Sequence, residues 1–269
     1  EKYTKKPLMV VGVRQIGKTY TIDKFCKENF KNYIYINLEK QEKIRKIFEL
    51  TLEPEEIIEN IKISLNKSFK EEETIIFFDE CQVSERFIMS LKYFCESPTN
   101  YKIICAGSLL GVKINRFTSS FPVGKIRIEY MYPMDFEEFL MALKEEMLIS
   151  KIKNCFTNMI PLDDVLHEKA IQLYKKYLCI GGMPEAVINF IESNKKISEF
   201  DNKIIQNIID MYISDMNKYT YNTFESVKIE KIYKNIPSQL AKENKKFQYK
   251  LVASNAKARS HSNAITWLE

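Results

Sequence analysis

The chain has 269 residues, 45% of them hydrophobic, enough to bury one sizeable core with one or two smaller units and to exclude a disordered chain as the default. Its net charge of +5 is mild for this length and does not by itself imply nucleic acid. Six cysteines without Cys-x-x-Cys spacing and only two histidines, His167 and His261, argue against a metal cluster or a secreted disulfide framework; with no apolar run of membrane-spanning length and no signal-peptide pattern, a cytoplasmic protein with reduced thiols is expected.

The first part alternates short β-rich runs with helical patterns, the signature of an α/β fold with a parallel sheet and crossover helices. Five strands are expected: Leu8 to Val11, Tyr33 to Asn37, Thr74 to Asp79, Tyr101 to Ala106 and Lys125 to Tyr130. The first and third carry nearly unbroken apolar stretches and should be central, covered on both faces. Between the third and fourth, Phe87, Ile88, Leu91, Phe94 and Cys95 recur at helical spacing, and Ser84 is placed to cap that helix. After Met134 the pattern turns helical: Phe136 to Lys144, Leu162 to Leu178, Pro184 to Ile191, and Lys196 to about Tyr219. A boundary near Tyr132-Pro133 therefore separates a core, residues 1–132, from a helical segment, residues 133–222. From Thr223 a further helix, a polar turn at Asn244 to Lys246, a β-like run at Phe247 to Val252 and a last helix at Ala258 to Leu268 suggest a small winged-helix-like segment, residues 223–269.

Glycine is scarce, and two of the seven stand in Gly12-Val13-Arg14-Gln15-Ile16-Gly17-Lys18-Thr19, between a hydrophobic strand and a helix. This is a phosphate-binding loop in its required context: glycines let backbone N–H groups close around phosphate oxygens, and the helix start adds a favourable dipole. Lys18 is expected to reach the β and γ phosphates of ATP, and the Thr19 hydroxyl to ligate Mg²⁺. Arg14 and Gln15 could contact a phosphate or a neighbouring loop. The third strand ends in Asp79-Glu80, at the edge where open α/β sheets bind ligands. Neighbouring carboxylates cannot point the same way from a strand end, so Asp79 is assigned to Mg²⁺ and Glu80 to the attacking water. Ser108, after the fourth strand, is the candidate γ-phosphate sensor, and Gln82 could relay the state of that phosphate, while Cys81 reads as a buried apolar residue.

Six arginines are present, and none lies between Ile128 and Ala258. An arginine finger would have to come from Arg116 or Arg127, with Lys125 a weaker cation for the role. Between Val227 and Ser260, nine cations stand against two carboxylates, a local net of +7 that reads either as a solvated helical surface or as a nucleic-acid contact.

The segments Gly-Val-Arg-Gln-Ile-Gly-Lys-Thr, Phe-Asp-Glu-Cys-Gln, Ala-Gly-Ser-Leu-Leu-Gly, Tyr-Pro-Met-Asp-Phe-Glu-Glu-Phe-Leu and Gly-Gly-Met-Pro-Glu-Ala-Val occur in this order. Together they resemble the prokaryotic AAA-type ATPases whose core is followed by the domain of unknown function numbered 4143 (DUF4143). The resemblance implies a P-loop NTPase sheet of order 5-1-4-3-2, a helical lid over residues 133–222, and a winged-helix-like start of DUF4143 from residue 223. It assigns nucleotide contacts to Gly12 through Thr19, metal and water activation to Asp79 and Glu80, and sensing to Ser108. Relatives usually continue into a nuclease-like domain, so this chain, opening on Glu1, is expected to be truncated. Many related ATPases have Gly-Arg before the fifth strand where this chain has Gly124-Lys125, which puts a trans-acting finger there in doubt. The expected function is Mg-dependent ATP hydrolysis switching a macromolecular partner, with a homo-oligomer compatible with it. The alternatives are a nucleotide-gated DNA-binding or defence-type module and, less well fitted, a small-molecule kinase.

Overall fold

A computed structural model describes residues 5–108, 121–122, 124–218, 223–253 and 257–268. The chain forms two compact units, Glu1–Lys195 and Lys196–Glu269. Unit one is built on five parallel strands: β1 (Leu8–Gly12), β2 (Asn32–Asn37), β3 (Thr74–Asp79), β4 (Lys102–Ser108) and β5 (Arg127–Tyr130). Their order, β2-β3-β4-β1-β5, is the expected 5-1-4-3-2 read from the other edge.

The apolar runs of the sequence explain the layers. In β3 every residue is buried, and its alternating side chains feed two cores. Ile76 and Phe78 join Met9, Val11, Ile36 and Cys105 under helices α2 (Glu42–Leu50), α3 (Pro54–Leu65) and α4 (Glu85–Glu96). Ile75 and Phe77 join Ile104 and Ala106 on the opposite face, beneath Ile22 and Cys26 of α1 (Lys18–Asn29). Burial of each of Phe77 and Phe78 contributes roughly 2–3 kcal/mol. Phe78 also meets Phe87 of α4 at 4.7 Å between ring centroids, so this strand end is held from above as well as from its flanks. Ser84 caps α4, its Oγ accepting from the Phe87 N–H at 3.1 Å.

Strand limits differ from the sequence reading by at most two residues, and by two at the end of β4 and the start of β5. Strand β4 runs on through Gly107 and Ser108 because pairing with β1 continues to the Gly12–Ser108 register. Strand β5 begins only at Arg127, whose N–H donates to the Pro7 carbonyl at 2.9 Å, while Gly124 with φ 76° puts a turn before it.

The helical part of unit one holds α5 (Phe136–Ala142), α6 (Glu146–Thr157), α7 (Asp164–Ile180) and α8 (Pro184–Glu192). Helix α6 was not anticipated, although Leu148, Ile149 and Cys155 form its buried stripe. Asp135 and Glu138 form a reciprocal capping box at the start of α5. Phe139 packs on Phe190 and Tyr177, and the Tyr177 hydroxyl donates to the Met134 carbonyl at 2.9 Å. A side chain at Gly182 would place Cβ 2.0 Å from that same carbonyl oxygen, and the Met134 N–H donates to the Gly182 carbonyl. Glycine is therefore required where the exit of β5 meets the turn before α8.

Unit two contains α9 (Asn202–Lys218), α10 (Thr223–Leu240) and α11 (Ala258–Leu268), around Met216, Ile229, Ile232 and Ala264. The β-like run at Phe247 to Val252 is not a strand; it holds a single 3₁₀ turn, Tyr249–Leu251, and unit two has no strand among the described residues. The physical reason is local. Phe247 and Val252 are drawn into the helical core, and the Gln239 side chain satisfies both backbone groups of Gln248, accepting from its N–H at 2.6 Å and donating to its carbonyl at 3.2 Å. No ladder is needed to satisfy them. Among the described residues, no helix is long and apolar enough to cross a membrane.

Candidate nucleotide site

The loop from Gly12 to Thr19 runs from the end of β1 into α1. Two of its backbone positions have positive φ, Gln15 at 62° and Gly17 at 88°, and the turn they make ends the loop at the first N–H groups of α1. Those groups carry no side-chain cap, and no acidic residue occupies the first helical turn. This leaves a positive helix end open to an anion. A Cβ on Gly12 would lie 2.4 Å from the Met131 carbonyl oxygen, so the exit of β5 presses on the loop entry and demands glycine there. Near Gly17 the closest groups are the Pro184 ring and the Met131 methyl, at 3.8 and 3.9 Å from an added Cβ. Met131 and Pro184 were not singled out as site residues; only the spatial meeting of β5, the loop and the Gly-Gly-Met-Pro turn reveals them.

Lys18 is buried and folds back into the loop, its Nζ donating to the carbonyls of Gly12 at 3.0 Å and Val13 at 2.6 Å. Burial lowers its pKa, while Glu80 and Asp79 oppose that shift. Arg14 is half-buried and Gln15 exposed.

Asp79 is 4% exposed and accepts from three directions. Thr19 Oγ1 and the Tyr35 hydroxyl both donate to Oδ2 at 3.0 Å, and the Glu80 N–H donates to Oδ1 at 3.0 Å. Burial raises its pKa, offset by the hydrogen bonds from Thr19, Tyr35 and the backbone. The paired oxygens of Thr19 and Asp79 are hard donors suited to Mg²⁺, and beside an open helix end they fit a metal-bound triphosphate.

Glu80 lies just beyond β3 with φ 54°, a left-handed conformation that a non-glycine residue adopts at a cost. It accepts a hydrogen bond from Gln82 Nε2, which also lies 3.5 Å from Ser108 Oγ. Gln82 and Ser108 are both buried. The structure thus brings Thr19 to Asp79, and Glu80 to Ser108 through Gln82. Cys81 is buried, as expected.

Two of the three cations considered as fingers lie among the described residues, and each makes an ion pair. Lys125 pairs with Glu96 at 3.0 Å, and Arg127 pairs with Glu129 at 2.7 Å on the edge strand. Arg116 lies outside the described residues.

No curated protein matches this chain significantly. A solved structure described as the structure of Drosophila ORC bound to DNA matches at 12% identity and a TM-score of 0.44, covering 100% of this chain and 76% of that one. Residues 171–269 match a domain of unknown function, DUF8612, which corrects the expected DUF4143. Among the segments on which that expectation rested together, Gly-Gly-Met-Pro is a glycine turn followed by proline in the first turn of a helix, chemistry common to helix starts and weak for telling one C-terminal domain from another. Residues 4–140, just over half of the chain, match the model described as AAA domain, and with the sheet order and loop above this chain belongs to that AAA family.

Proposed function

We propose that the protein binds Mg·ATP at the loop between β1 and α1 and hydrolyses it, using the reaction to switch a macromolecular partner. The observation that carries this reading is the hydrogen-bonded link from Thr19 of the phosphate loop to Asp79 at the end of β3, with Glu80 next in the chain. Loop amides and the uncapped start of α1 hold the phosphates, and Lys18 supplies the cation beside them. Thr19 and Asp79 hold the magnesium, which when bound neutralises charge on the phosphate oxygens. Glu80 orients the attacking water and takes its proton. Gln82 keeps the Glu80 carboxylate in place, and Ser108 at the other side of Gln82 senses the γ-phosphate.

Phosphate release by wild type and by Glu80→Gln tests the assignment. Loss of the general base should lower the rate by about 10²-fold or more, with Mg·ATP still bound. Equal rates would remove Glu80 from the mechanism.

The charge of unit two favours a second reading, a nucleotide-gated module that binds duplex DNA. Lys242, Lys245, Lys246, Lys250 and Lys257 are exposed on the connection between α10 and α11, and Arg259 is exposed in the first turn of α11. Contacts from these cations to DNA phosphates would give an affinity falling steeply with salt, each neutralised phosphate adding about 0.9 to the logarithmic slope. A binding curve insensitive to salt, or no binding, would sink this reading.

A further inference from the structure

Tyr35 is a residue of β2 that neither the loop motif nor the acidic pair announces. In register it stands opposite Phe77 of β3, and its ring lies tilted against Phe77 with 5.5 Å between centroids. That packing carries the hydroxyl along the neighbouring strand to its last residue, where it meets Asp79 Oδ2 at 3.0 Å. An ionised carboxylate only accepts, so the phenol donates. The Asn37 side-chain amide approaches the same hydroxyl oxygen at 3.4 Å, using its lone pair and leaving its proton for Asp79. Burial raises the pKa of Tyr35, with Asp79 among the further causes, so the phenol remains a protonated donor at neutral pH.

The consequence concerns orientation. The Glu80 N–H fixes one carboxylate oxygen of Asp79; Thr19 fixes the other, and Tyr35 fixes it again from the opposite strand. A carboxylate anchored at both oxygens cannot rotate away from Thr19. A cation arriving at the Thr19–Asp79 pair then meets a preassembled ligand, without the cost of ordering it.

We propose that Tyr35 is a positioning residue for the metal half of the site, holding Asp79 against Thr19 and thereby setting the affinity for the magnesium of Mg·ATP. This rests on the nucleotide reading above. Tyr35 touches neither nucleotide nor metal in this role; it acts through Asp79.

The test is Tyr35→Phe, which keeps the ring on Phe77 and removes only the hydroxyl. A fluorescent ATP analogue is titrated into wild type and variant twice, once in excess EDTA and once at fixed analogue with rising Mg²⁺, while melting temperature is recorded for both proteins. The expected result is a half-saturating Mg²⁺ concentration raised about tenfold, at the lower end of what outer-shell partners of metal ligands contribute, with metal-free affinity unchanged. An unchanged Mg²⁺ requirement overturns the role. A parallel loss of metal-free and metal-dependent binding also overturns it, because a residue acting through Asp79 leaves the metal-free contacts intact. Failure of the wild-type protein itself to bind the analogue with Mg²⁺ overturns the nucleotide reading beneath it, an outcome separate from the comparison of the two proteins.

Discussion

Asp79 and Glu80 are the same functional group one residue apart, yet the fold treats them in opposite ways. Asp79 completes a strand whose every residue is buried, and its two oxygens take hydrogen bonds from a helix, a neighbouring strand and the backbone. Glu80 follows in a left-handed turn, half-buried, with Gln82 donating to its carboxylate. The difference teaches how a strand end builds a reaction site from adjacent acids. In the proposed mechanism the first is scaffold as much as ligand, and the second, held in a turn that costs energy, faces the attacking water.

The sharpest way to break the comparison is to remove each carboxylate in turn. Asp79→Ala leaves the Thr19 and Tyr35 hydroxyls and the Glu80 N–H without their acceptor. Losing three hydrogen bonds to a buried carboxylate, with water able to replace it at the exposed Thr19 and Tyr35, should cost about 2 kcal/mol of stability in total, and Mg²⁺-dependent nucleotide binding should be lost with it. Glu80→Ala, by contrast, should unfold within about 0.5 kcal/mol of wild type. Denaturant titration of the two variants decides, and equal destabilisation would show that the two acids are not used differently.

A smaller effect comes from the turn itself. Glu80→Gly removes a side chain from a left-handed position, relieving roughly 1 kcal/mol of backbone strain, of which the greater freedom of glycine in the unfolded chain takes back about half. The variant should melt slightly above wild type while releasing no phosphate. A protein that loses stability as well as activity would mean that Glu80 holds the fold together as Asp79 does.

The legibility of the molecule follows the same divide. Strands β1 and β3 were readable because burial on both faces writes an uninterrupted apolar run, and the phosphate loop because its glycines have a backbone reason to be where they are. Asp79 and Glu80 were readable for the same cause, as polar residues closing such a run. Tyr35 was not, because a tyrosine in a strand reads as packing, and its bond to Asp79 exists only through the pairing of β2 with β3. The meeting of Met131 and Pro184 at Gly17 is likewise a product of tertiary structure. The segment Phe247 to Val252 misled for the opposite reason: its local composition favours a strand, but a strand needs a partner, and Gln239 supplies the hydrogen bonds instead.

The least effect is expected where the Glu80 side reaches furthest from the strand end. Ser108 Oγ lies 3.5 Å from Gln82 Nε2, at the limit of a hydrogen bond, and Gln82 donates at its other contact to Glu80. A link so long transmits little. Ser108→Ala should therefore leave Mg·ATP affinity unchanged and lower the hydrolysis rate about threefold, equivalent to about 0.7 kcal/mol in the barrier. Single-turnover phosphate release with calorimetric binding separates the two quantities. A rate loss approaching that of Glu80→Gln would mean that Ser108 contributes to the chemical step as much as Glu80 does, and that the Glu80 side of the strand end is built as tightly as the Asp79 side.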